Sequence, residues 1–117
     1  MPEFQAGDDL IFQLESALGL LRILAIAGEG ADTVWYLMAY DEFFPDVAAA
    51  ENALRQPDAL AIRKTHMALT DRAFERTPAA KLGNRPVTAG ELAGYDEWLS
   101  SDRKVSDRSA LLLLGIR

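Results

Sequence analysis

Apolar residues between positions 8 and 27 recur at helical spacing. Leu10, Leu14, Leu18, Leu21 and Ala25 follow one another at intervals of three or four and predict a core-facing stripe. Phe12, Ile23 and Ile26 lie on the other side, so the predicted helix is apolar nearly all round and belongs at the centre of the fold. Asp8 and Asp9 stand at its start, where capping and first-turn acids belong. Glu15 and Arg22 share the remaining polar strip. The glycines of "GEGAD" (28–32) close the element, because glycine adopts left-handed cap geometry at little cost.

The stretch "TVWYLMAYDEFF" (33–44) reads two ways. Thr33, Val34, Trp35 and Tyr36 favour a strand. A strand needs a partner, and only the short "RPVTA" (85–89) offers one, so a helix ending at Pro45 is the expected element, with a short strand as its competitor. Asp46 then caps a helix over 46–56 that Pro57 stops, and Asp58 caps another over 58–76. A loop covers 77–87. Thr88 and Glu91 form a capping-box pattern that opens a helix over 88–101, and a last helix starts near Ser106. The expected fold is all-α: one helical domain over 1–117, a single compact bundle of five or six helices.

Composition narrows the class. The chain has 117 residues, 50% hydrophobic and 26% charged, which suits one globular domain and argues against disorder. No cysteine is present, which removes disulfides, thiolate nucleophiles and zinc–thiolate sites. The N-terminus "MPEFQAGDDL" is acidic where a signal peptide is basic, and the most apolar stretch, 17–28, falls short of the roughly 20 residues a span needs. A cytoplasmic protein with no membrane contact is expected. The 9 arginines against 3 lysines, with 19 alanines, suggest a GC-rich, bacterial coding sequence.

Net charge is −6, unevenly spread. Residues 1–58 carry −9, residues 59–85 carry +4 and residues 86–117 carry −1. An acidic chain is a poor nucleic-acid binder, since phosphate neutralisation supplies most of that affinity. The acidic first half and the basic middle are expected to attract each other within the fold.

The candidate chemistry centres on "RKTHMALTDR" (63–72), which holds the only histidine. On a helix, Arg63, His66 and Thr70 share one side, and that side is otherwise apolar. One reading is a ligand-binding stripe, with Arg63 holding an anion and His66 donating a hydrogen bond. The other is a buried polar cluster, with Arg63 meeting Glu15, Asp41, Glu42 or Asp46 and His66 meeting a backbone carbonyl. His66 is preceded at three residues by Arg63, not by a carboxylate, so the di-iron pattern fails, and no calcium loop is present. There is no "GxSxG" turn and no P-loop. No catalytic residue, metal site or cofactor is therefore expected. Tyr95 and Trp98, at i and i+3, and the acidic group Asp41, Glu42 and Asp46 are candidate partner-binding residues. The run "ALLLLGI" (110–116) exceeds what one helix face can bury and points to a protein partner or a homo-oligomer. The expected function is a small acidic, non-enzymatic protein-interaction module of regulator, inhibitor or immunity type. The alternative is a small-molecule or anion-binding domain using Arg63, His66 and Thr70.

Overall fold

The computed structural model describes residues 4–13, 17–56, 59–76, 79–99 and 105. It overturns the all-α expectation, and with it the helical bundle. The described chain is built on one five-stranded antiparallel sheet with three short α-helices. Strands β1 (Asp8–Gln13), β2 (Leu18–Ala27), β3 (Val34–Phe44) and β4 (Ile62–Thr70) follow one another as neighbours. Strand β5 (Ala79–Asn84) returns beside β1, giving the order β4-β3-β2-β1-β5. Helix α1 (Val47–Ala53) follows β3, α2 (Asp71–Glu75) follows β4, and α3 (Ala89–Leu99) follows β5. The expected helices over 8–27, 33–44 and 58–76 are thus mainly strand, and the expected loop over 77–87 contains β5. The expected helix from 106 onward lies outside the described residues, as does the run 110–116.

Burial on both faces of the sheet explains the misreading. In β2, Leu20 and Leu24 enter one cluster while Leu21 and Ile23 enter another. Successive strand side chains point to opposite faces, so a strand buried on both shows an unbroken apolar run instead of alternation. Such a run fits a helical stripe equally well. One cluster joins Leu10, Leu21, Ile23, Leu37 and Leu69 to Ala73 and Phe74 of α2. The other joins Leu20, Leu24, Tyr36, Met38 and Tyr40 to Ala50 of α1, with Tyr95 and Trp98 of α3 packed against it. Each fully buried aliphatic contributes about 1.5–3 kcal/mol. A sheet covered on both faces collects that gain from Leu20, Leu21, Ile23 and Leu24 of β2 together.

The strand propensity of 33–36 is realised because its partners exist: β3 pairs with β2 on one side and β4 on the other. "GEGAD" is the turn between β2 and β3, with Gly28 at φ 85 and a short 3-10 turn at Gly30–Asp32. Local caps stand where the sequence puts them. The Asp46 carboxylate accepts from the Ala49 N–H at 2.8 Å at the start of α1. Thr88 Oγ1 accepts from the Glu91 N–H at 3.2 Å, and Glu91 Oε1 accepts from the Thr88 N–H at 3.0 Å, which closes the capping box of α3. Among the described residues no helix is long and apolar enough to cross a membrane.

Gly19 is needed for close approach. A Cβ there would lie 2.3 Å from the Phe12 ring, which is itself 3% exposed and has no free space to move into. Replacing Gly19 with Ala is expected to destabilise the fold by about 1–3 kcal/mol through overpacking, despite alanine's better strand propensity. Urea denaturation measures this. Adding Phe12→Leu should recover part of the loss, and a raised midpoint for Gly19→Ala alone would contradict the packing.

Candidate functional site

A charged residue sits at the middle of the sheet. Arg22 on β2 is 0% exposed. Its register partners are Asp9 on β1 and Met38 on β3, so it projects onto the face covered by α1 and α3. Burying a guanidinium is tolerable only when its donors are met. Here all three nitrogens are engaged. Nε donates to Glu91 Oε2 at 2.6 Å. Nη1 donates to the Gly7 carbonyl at 2.8 Å and to Asp9 Oδ1 at 3.2 Å. Nη2 donates to the carbonyls of Arg85 and Pro86 at 3.1 and 2.9 Å and to Glu91 Oε1 at 3.1 Å. One side chain thus ties β2 to β1, to the segment before β1, to the connection after β5 and to the first turn of α3.

Asp9 carries the network outward. Arg85 grips it as a two-pronged fork, Nε to Oδ2 at 2.7 Å and Nη2 to Oδ1 at 2.8 Å. Arg85 Nη2 also donates to the Tyr40 hydroxyl at 3.2 Å. Two cations and two carboxylates balance. Hydrogen bonds to Asp9 hold the Arg85 guanidinium above its ordinary pKa. Burial opposes ionisation of Glu91, but the Arg22 and Thr88 donors outweigh it and keep its carboxyl below the usual range. Burial pushes the Tyr40 phenol up, so Tyr40 keeps its proton at neutral pH.

Beside this network lies a cleft of about 190 Å³. Met38, Leu60 and Ile62 form its apolar wall, and Tyr40, Arg85, Thr88 and Glu91 its polar side. Tyr40 is 4% exposed. Its oxygen accepts from Arg85, and among the described residues its own proton has no acceptor. Arg85 Nη1 likewise bonds to no described residue, and the Arg85 side chain is 30% exposed. A larger groove of about 320 Å³ runs between α1 and the chain after it, but exposed side chains line most of it.

The residues singled out in the sequence go to separate places. Arg63 and Thr70 are seven residues apart on a strand, about 23 Å, instead of two helical turns. Arg63 Nη1 meets Asp41 Oδ1 at 3.2 Å in a solvent-exposed pair. Thr70 caps α2, its hydroxyl accepting from the Ala73 N–H at 3.1 Å. His66 packs among rings, 5.6 Å from Tyr36, 6.0 Å from Tyr95 and 5.7 Å from Trp98 between centroids. The structure thus brings Tyr95 and Trp98 to His66, while Arg63 and Thr70 lie elsewhere. Of the acidic group, Asp41 holds Arg63, Asp46 caps α1 and Glu42 lines the larger groove. Among the described residues no three His, Cys, Asp or Glu side chains are grouped to hold a metal.

Sequence reasoning missed Arg22, Asp9, Tyr40, Arg85 and Glu91 as a unit. One signal was present: Arg22 is the lone charge in "LGLLRILAIA", and a charge amid residues buried on both sides needs a built partner set. Comparison with protein-family models, with curated proteins and with solved structures gave no match.

His66 carries a pH dependence of known sign. Its Nε2 is buried and has no hydrogen-bond partner among the described residues. Burial lowers its pKa below the ordinary 6.5. The unfolded chain therefore takes up a proton that the folded chain refuses, so stability is full above about pH 6.5 and falls as the pH drops below it. Urea midpoints between pH 7.5 and 5.5 should decline for the native chain. They should stay flat over that interval for His66→Phe, which keeps a ring in the stack without a titrating group. Equal slopes for the two proteins would contradict the assignment.

Proposed function

We propose that this protein is a non-enzymatic binding module whose small ligand seats in the cleft between β3, the start of β4 and the first turn of α3. One observation carries the reading. Tyr40 is buried and lines the cleft, yet its hydroxyl proton has no acceptor among the described residues. The Tyr40 oxygen already accepts from Arg85, and its unused donor beside a cleft is what a ligand acceptor would complete. Among the described residues lining the cleft there is no histidine, and its one carboxylate is already bound. His66, the one imidazole, stands in an aromatic stack with its Nε2 unpartnered, and the carboxylates of Asp9 and Glu91 are occupied by arginines. The ligand-binding alternative is therefore kept with its site moved from Arg63, His66 and Thr70 to Tyr40 and Arg85. Absence of cysteine suits a reducing compartment, and the cytoplasm is the proposed setting.

Amide NMR during a screen of small polar compounds tests the site. Binders at millimolar concentration should shift resonances of Tyr40, Ile62, Arg85 and Thr88 together. Ile62 is 49% exposed, so Ile62→Trp should cost no more than about 0.5 kcal/mol of stability while filling the cleft and abolishing those shifts. Binders that map elsewhere, or shifts that survive Ile62→Trp, would refute the site.

A further inference from the structure

Resting on that cleft as the binding site, the hydrogen-bonding capacity left open around it identifies the ligand class. Glu91 Oε1 and Oε2 together accept four hydrogen bonds, two from Arg22 and two from Thr88. Asp9 accepts three, from Arg22 and Arg85. A carboxylate offers roughly four acceptor positions, so these two have little left to give an incoming donor. The Thr88 hydroxyl is engaged within the capping box. The donors with no acceptor among the described residues are the Tyr40 O–H and the Arg85 Nη1 amino group. A ligand that satisfies the site must present acceptors. An ammonium or a guanidinium would meet carboxylates already engaged by arginines and would sit beside Arg85.

Size and lining narrow the class further. About 190 Å³ holds the equivalent of roughly six water molecules, well below the volume of a drug-sized pocket. Met38 and Leu60 on the opposite wall are 3% and 8% exposed and offer only carbon and sulfur. We propose that the cleft takes a short-chain aliphatic carboxylate, with its oxygens on the Tyr40 hydroxyl and the Arg85 guanidinium and its tail against Met38, Leu60 and Ile62. Two arginines and two carboxylates cancel in the network behind it, so the ligand is held by directed hydrogen bonds more than by net charge. Its affinity therefore depends weakly on salt. A peptide C-terminus carries the same chemistry on a larger body, and the small volume selects the free acid.

The test titrates the intact chain at pH 7 with isovalerate, isovaleramide and isoamylamine, which share one tail and differ in the head group. Amide shifts are followed at Tyr40, Ile62, Arg85 and Thr88. Isovalerate should bind at least about tenfold more tightly than the amide, the increment expected for a charge-assisted hydrogen bond, and the amine should show no saturation. Tyr40→Phe should weaken isovalerate about tenfold, with the far-ultraviolet spectrum and urea midpoint near those of the native chain. This variant is preferred to one at Arg85, whose fork on Asp9 holds the fold. If amide or amine binds at the same residues as tightly as isovalerate, the carboxylate assignment is overturned and the cleft stands as a binding site. If a peptide with a free C-terminal leucine binds there and isovalerate does not, the short-chain assignment falls. If none of the compounds moves the cleft resonances, both the class and the site are overturned.

Discussion

Arg22 at the centre of the sheet is the constraint on which the rest of the structure depends. A guanidinium taken out of water carries a penalty of several kcal/mol, and only a complete set of acceptors offsets it. This chain gathers them from four places: Gly7, Asp9, the carbonyls of Arg85 and Pro86, and Glu91. None of these is near Arg22 in sequence, the separations running from 13 to 69 residues. The residue therefore acts as a register pin. A slip of β1 by one residue would turn Asp9 to the opposite face and leave the cation without it. Loss of α3 from the sheet would remove Glu91. Apolar burial supplies most of the stability, and Arg22 selects the one arrangement of β1, β5 and α3 that satisfies it.

The charge pattern of the chain takes on structural meaning in this light. Acids of the first half meet bases of the middle segment in ion pairs at separate places in the fold. Asp9 pairs with Arg85, Asp8 with Lys81, and Asp41 with Arg63. The first two join β1 to β5 and the connection after it, and the third joins β3 to β4. They differ in weight. The Asp41–Arg63 pair is exposed and contributes little, on the order of 0–1 kcal/mol. Asp9 is 2% exposed and its pairing with two arginines decides whether β5 can dock. The same pairing leaves Arg85 Nη1 and the proton of Tyr40 without a partner among the described residues beside the cleft, so the structural network and the proposed site share their residues.

Local chemistry was legible in the sequence and long-range pairing was not. Asp46 capping α1, and Thr88 with Glu91 capping α3, were readable because a cap and its partner lie within three residues. The strands were hidden because β2 and β3 are buried on both faces, which erases the alternation that marks a strand. Trp35 and Tyr36 carry strand propensity, but the sequence alone does not show the partners that β2 and β4 provide. Of these partners, β2 is a near-continuous apolar run and β4 a mixed stretch whose spacing also fits a helix, so neither marks itself as a strand. For the site the lesson is similar. His66 drew attention by being unique, yet its surroundings are rings. Arg22 looked like part of a solvated strip, because on a helix it has an open side and on β2 it has none.

Nuclear magnetic resonance of the arginine side chains tests the central claim most directly. In the native protein the Arg22 Nε proton should exchange with solvent as slowly as the backbone amides of β2, and its Nη groups should give separate resonances because their rotation is locked by hydrogen bonds on each nitrogen. An Arg22 Nε proton exchanging as fast as that of an exposed arginine, with averaged Nη resonances, would contradict the account.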